Sequence, residues 1–271
     1  IEHMLLFGSD YFESDEYYQS SFGRGAPSLI PDIDIINPVY GANPENYLLL
    51  ERPGVDNEST RLGIYIQDQI QFNENWLAVI GTRFDKFEDT DITTEEQASD
   101  DNLSPRIGVI YQPDETTSIF ANLTQGFSIV DQMHERNDTD STGFLKPETG
   151  TQFEIGIKNK WLDGNILSTI SAYKIVKDNI TIGNPDDTGF NDGIPPLIQI
   201  GEVTSEGIEV DLVGDISENW TGTVNYAYNR AKITGGSPDS IRNSVGDEFV
   251  NAPDHTLGIW TRWDIPDIDS A

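Results

Sequence analysis

Gln152-Phe153-Glu154-Ile155-Gly156-Ile157-Lys158-Asn159-Lys160 alternates without a break. Phe153, Ile155 and Ile157 fall on one face, and Gln152, Glu154, Gly156, Lys158 and Lys160 on the other. A period of two is that of a β-strand with one apolar and one polar face, not of a helix. The pattern recurs outward from this stretch. Leu62, Ile64 and Ile66 alternate with Gly63, Tyr65 and Gln67. Ile208, Val210 and Leu212 alternate with Glu209 and Asp211, and Leu257 and Ile259 with Thr256 and Gly258. Trp220, Val224, Tyr226 and Tyr228 share a face in which Gly222 is the gap. No stretch supports a long amphipathic helix.

The 271 residues carry 47 acidic and 16 basic side chains, a formal net charge of −31. Phosphate backbones are bound by basic faces, so this balance excludes a nucleic-acid partner. The aromatic content (5 Trp, 10 Tyr, 12 Phe) is too high for a chain that never packs. With no Cys there are no disulfides, thiolate metal sites or Cys nucleophiles. The apolar runs are only a few residues long, as at 47–50, so no transmembrane helix is expected. A transmembrane barrel, which carries its lipid face in every second residue, stays open. The start, IEHMLLFGSD, lacks an initiator Met and a signal pattern, and reads as a chain entered midway.

Ten strands are predicted, at 2–13, 60–72, 76–87, 103–112, 117–127, 149–161, 166–182, 197–214, 220–234 and 253–264. The links at 73–75, 113–116, 162–165 and 215–219 have hairpin length, and Asp163-Gly164 is a turn signal. The links at 14–59, 88–102, 128–148, 183–196 and 235–252 are long, so short and long alternate throughout. An outer-membrane barrel puts short turns at one end and long loops at the other, whereas a soluble sandwich has no reason to. The expected fold is therefore all-β, an antiparallel up-and-down transmembrane barrel. Arg83, Asp85, Arg106, Glu154, Lys158, Glu209 and Asp211 are expected to line its lumen as structural groups. The five long links hold 26 acidic and 5 basic side chains, which places most of the charge at one rim.

Five further segments stand out, in order. RLGIYIQDQIQFNENWLAVIGTRFDKF carries a Tyr-x-Gln-Asp core and closes on Gly81, Arg83, Phe84 and Asp85. SPRIGVIYQPDETTSIFANLTQGF carries Ser104-Pro105-Arg106 and Gly126-Phe127. LKPETGTQFEIGIKNKWLDGNILSTISAYKI carries Lys146, Pro147, Glu148, Glu154 and Gly156. SEGIEVDLVGDISENW follows, and then VGDEFVNAPDHTLGIWTRW with Ala252-Pro253-x-His255. Together these segments resemble the barrel of TonB-dependent siderophore receptors, and the resemblance implies that residues 1–271 are about ten consecutive strands of an incomplete 22-strand barrel. The family's N-terminal plug, its TonB-contacting box and its aromatic-ended last strand have no counterpart here. It also implies a Gram-negative outer-membrane transporter, not an enzyme, that takes up ferric siderophores by TonB-driven rearrangement of the plug. No cofactor is expected, since iron arrives inside the ligand.

Loop aromatics are the ligand candidates: Tyr40, Tyr47, Phe144 and Phe190, with Phe127 near a strand end and His134 beside them. A siderophore offers a partly apolar, hydrogen-bonding shell that such surfaces suit. The competing reading has these rings packing loops together. Asp131 and His134 also permit a protease on a ten-stranded barrel. Residues 138–143 begin like a calcium loop, but its twelfth position is Thr149 where a Glu is required, so a polar loop is the better reading. The acidic cluster at 88–101 could gather divalent cations, and a solvated face is favoured there. An acidic rim repels an anionic ferric catecholate, so the expected ligand is a neutral or cationic ferric hydroxamate. Cobalamin or oligosaccharide cargo, a porin, and a soluble β-rich binding protein are the alternatives.

Overall fold

The computed structural model describes residues 1–19, 21–22, 36–37, 50–51, 55–93, 95–129, 145–183, 197–235 and 244–265. Ten strands form one antiparallel sheet in sequence order: β1 (Glu2–Tyr18), β4 (Val55–Gln71), β5 (Trp76–Asp91), β6 (Glu96–Tyr111), β7 (Thr117–Ser128), β8 (Glu148–Trp161), β9 (Ile166–Gly183), β10 (Leu197–Ser217), β11 (Trp220–Gly235) and β12 (His255–Trp263). The predicted ten-strand meander is this sheet. A second pair, β2 (Ser21–Phe22) with β3 (Leu50–Glu51), was not foreseen. Among the described residues β1 and β12 each pair on one side only, so the sheet is open.

The expected alternation of link lengths fails at one place. Residues 88–102 are not a loop. They pair rung by rung, Glu88 with Ser99 and Asp91 with Glu96. Burial of alternate residues along this hairpin, Phe87, Asp89, Asp91 and Ala98, outweighs the polar composition that suggested a loop. The short links fold locally. Asn73 Oδ1 accepts the Asn75 and Trp76 N–H groups, both at 2.9 Å. Asp114 Oδ1 accepts those of Thr116 and Thr117 at 2.8 and 2.9 Å, and the Thr116 hydroxyl at 2.6 Å. These donors, the Thr116 hydroxyl foremost, hold the Asp114 carboxyl below its ordinary range. Asp163 and Gly164 turn at φ 56° and 92°.

Register stacks a largely apolar set of alternate residues from all ten strands on one face. One row runs Ile80, Ile107, Leu123, Phe153. Another runs Ile119, Ile157, Ile170, Val210, Tyr226, Leu257. Yet Ile107 is 51% exposed, Phe153 49% and Ile259 69%. A continuous apolar face left this open requires a solvent other than water. Its lower edge is aromatic: Trp76, Tyr111, Trp161 and Trp220 stand where strands enter the short turns, and Trp263 ends β12 opposite Trp220. Trp76 and Tyr111 lie 4.6 Å apart between ring centres, and Trp161 Nε1 donates to Ser168 Oγ at 2.8 Å. Such rings mark a membrane interface, with an apolar body and a satisfied polar tip. Asp68 interrupts the face near this edge and is held by His3 at 2.8 Å. Upward, the apolar rows end at Lys86, Asp101, Lys174 and Arg230.

Candidate functional site

The opposite face carries the charged side chains, with apolar residues such as Val79, Ile110 and Phe120 among them. Arg83, Asp85, Arg106, Glu154, Lys158, Glu209 and Asp211 all lie on it, as the register of β5 through β11 requires. Large side chains there lean over glycines on the neighbouring strand: Tyr65 over Gly8, Arg83 over Gly63, Phe120 over Gly156 and Tyr173 over Gly207. Each glycine removes the side chain that would otherwise fill the rung.

Arg83 shows what this makes possible. Its guanidinium crosses Gly63 and reaches Asp10 on β1, donating from Nη1 to Oδ1 at 2.7 Å and from Nη2 to Oδ2 at 2.9 Å. Nε also donates to both oxygens of Asp85, at 2.8 and 2.9 Å. One planar fork thus ties β5 to β1 across β4 through two carboxylates, which suits Arg and not Lys. Arg83→Met is expected to lower the unfolding midpoint, because two carboxylates are left facing each other. Asp10→Asn in that background is expected to recover part of the loss. A double-mutant cycle in urea checks this, and additive effects at positions 10 and 83 would defeat it.

Arg106, Glu154, Lys158, Glu209 and Asp211 line one hollow of about 510 Å³. Among the described residues none of the five forms an ion pair. Glu154 accepts from Asn122 Nδ2 at 3.1 Å, Asp211 accepts from Asn225 Nδ2 at 2.5 Å, and Lys158 Nζ lies 5.3 Å from the centre of the Phe120 ring. The polar wall here therefore presents charge to the space in front of it, while Arg83 and Asp85 neutralise each other.

Higher up, the β6–β7 ladder stops at the Arg106–Thr124 rung although both strands continue. Pro105, the next residue of β6, has no N–H to donate. The end of β7 is left between two concavities. One, of about 530 Å³, is lined by Tyr65, Arg83, Arg106 and Phe127; the other, of about 380 Å³, by Glu148, Gln152, Lys177 and Phe127. Phe127 borders both and stacks on buried Phe87, with ring centres 6.4 Å apart. Tyr40, Tyr47, His134, Phe144, Phe190 and the calcium-like segment 138–143 lie outside the described residues. Asp10, Tyr65 and Tyr173 were missed from sequence. A glycine on the facing rung was the available signal for each partner, legible only once the register is known.

Residues 1–269 match the family model for the TonB dependent receptor-like beta-barrel. The chain is 30% identical to the metal-pseudopaline receptor CntO of Pseudomonas aeruginosa over 270 residues, covering 94% of this chain and 35% of that protein. It is 27% identical to the ferrioxamine B receptor of Salmonella typhimurium, covering 98% and 35%. The chain thus spans about a third of the length of these relatives. In fold it is similar to the siderophore receptor PiuA of Acinetobacter baumannii, with a TM-score of 0.72 at 21% identity over 96% of this chain and 41% of that one. The ferric-catecholate import receptor Fiu of Escherichia coli gives 0.72 at 17% identity over 98% and 40%. Two-faced strands, an aromatic lower edge and the family match over nearly the whole length agree: this chain belongs to the TonB-dependent receptor-like β-barrel family.

Proposed function

We propose that this chain is about ten strands of a larger, plug-containing barrel that carries ferric siderophores across the outer membrane in a TonB-dependent manner. The family is one of outer-membrane receptors and transporters of Gram-negative bacteria, and the exposed apolar face is built for that membrane. The polar face then lines the lumen. The observation that carries the reading is the pairing of that face with an acidic upper rim, in a chain whose relatives include receptors for ferrioxamine and ferrichrome. Phe127, at the edge of both upper concavities, is the ligand contact among the described candidates. The rim's negative charge favours a neutral or cationic ferric hydroxamate. Reading the gene outward from both ends tests the architecture, and a plug with a TonB box upstream is expected.

The cargo is tested with the whole receptor in detergent. Ferrioxamine B is expected to bind at least about tenfold tighter than a trianionic ferric catecholate near 0.15 M salt, with the gap widening at lower ionic strength. Phe127→Ala is expected to weaken hydroxamate binding about tenfold, the cost of one aromatic contact. Tighter binding of the catecholate would overturn the cargo assignment and leave the receptor reading in place.

A further inference from the structure

The wall of strands has a seam. Between β6 and β7 the ladder runs from Tyr111–Ile119 to Arg106–Thr124. Above that rung β6 continues along β5 to Glu96 and β7 along β8 to Ser128, and among the described residues no rung joins their facing edges. Pro105 has no N–H to offer, and the Asp101 N–H turns to Asp100 Oδ1 of its own strand at 2.8 Å. Both features keep an edge from pairing. A Cβ on Gly126 of β7 would meet no atom within 4 Å, so open space borders the other edge.

The seam falls inside the membrane band. On β6 the outward side chains run Tyr111, Val109, Ile107, Pro105, Leu103 and Asp101, from the aromatic edge to the end of the apolar rows. Pairing is lost from Pro105 upward, so about 13 Å of strand, roughly 10 Å of depth at a barrel's tilt, lies open in the upper leaflet. Leu103, 55% exposed, flanks it on β6. Phe127 flanks it on β7 and crosses the wall there. Register puts Phe127 on the outward face, in series with Leu123 and Gln125, whereas Phe87 belongs to the lumen face of β5 with Arg83 and Asp85. The two rings stack even so, with centres 6.4 Å apart. The 530 Å³ concavity behind the seam is likewise lined from both faces, by Arg83 and Arg106 of the lumen side and by Ile66 and Thr82 of the outward side.

We propose that this seam is a slot for the acyl tail of an amphiphilic ferric hydroxamate. The chelate head occupies the 530 Å³ concavity, and the tail passes between Leu103 and Phe127 into the outer leaflet. Unpaired strand edges persist at membrane depth only where they line a wet or polar space, which the concavity provides. The amide that joins tail to head has one donor and one acceptor, and both find partners on the two edges. A glycerophospholipid offers a similar tail, but its ester link has no N–H to donate, so a resident bilayer lipid fits the slot less well. An apolar tail left in an aqueous lumen would gain nothing from its methylenes, whereas one that reaches lipid gains from each. The slot rests on the hydroxamate reading above and narrows it to acylated chelates.

The test offers the whole receptor, in lipid nanodiscs, ferrioxamine B acylated on its terminal amine with either an acetyl or a dodecanoyl group, two chelates of equal charge. The dodecanoyl chelate is expected to bind at least about tenfold tighter to the wild type. Leu103→Trp, which fills the slot, is expected to lose most of that gain and to hold the acetyl chelate within about twofold. Phe84→Trp, on the same rung and face but away from the seam, is expected to keep the gain. Heat-modifiable migration on gels verifies the fold of each variant. A diazirine placed beside the amide is expected to cross-link to β6 above Arg106 or to β7 above Thr124. Equal binding of the two chelates by the wild type, a gain that survives Leu103→Trp, or cross-links confined to phospholipid each overturn the slot. If the acetyl chelate binds in those cases, the hydroxamate reading stands without it; if neither chelate binds, that reading fails and takes the slot with it.

Discussion

Ile107→Arg is expected to cost about 2–4 kcal/mol of folding free energy in lipid, the penalty for a cation on the lipid face of a barrel at mid-depth. Ile107 is four residues above the aromatic edge at Tyr111 and six below Asp101 in sequence, within the row Ile80, Ile107, Leu123, Phe153. Asp68, which extends that row beyond Ile80, is two strands away and already held by His3, so the guanidinium has only its own length with which to reach an interface. The neighbouring change Arg106→Gln is on the other face, in a hollow that already presents unpaired charge, and is expected to stay within about 0.5 kcal/mol. Reversible urea unfolding into vesicles of the whole receptor measures both. Equal costs at 106 and 107 would mean that the two faces do not meet different solvents.

Gly207→Ala is expected to destabilise by about 2–3 kcal/mol, while Gly108→Ala on the same face stays within about 0.5 kcal/mol. A Cβ at Gly207 would collide with the backbone carbonyl of Tyr228, and it would stand 2.8 and 2.9 Å from the hydroxyl and Cζ of Tyr173. Tyr173 is itself held, donating to Asn229 Oδ1 at 3.2 Å, and a backbone carbonyl in a paired strand cannot move without breaking its rung. A Cβ at Gly108 meets Ala121 O and Asn122 Cβ at 3.7 Å, which is ordinary contact. The same unfolding assay decides the matter. A mild effect at 207 would show that the ring leaning over it is not fixed.

Much of this was legible along the chain. Alternation at 152–160 is set by backbone geometry within one strand, so Phe153, Ile155 and Ile157 could be assigned to one face with no knowledge of their neighbours. The turn signal at Asp163-Gly164 and the tryptophans at the short-turn ends are equally local. The acidic stretch 88–102 misled, because its composition suits a loop and its pairing depends on what covers it. Phe127 is the one ligand candidate within the described residues, and its place between two concavities follows from a ladder that stops at Pro105.

The sequence by itself determined the two-faced strands of the main sheet, the short turns at their lower ends and the sign of the charge, because these follow from local period, turn chemistry and composition. Tertiary structure alone decided which glycine yields its space to Arg83, that Asp10 of β1 completes that clamp, and that Asp89 is buried beside Asp91. Each of these depends on register between segments far apart in the chain. A shift of one residue would send every side chain to the opposite face.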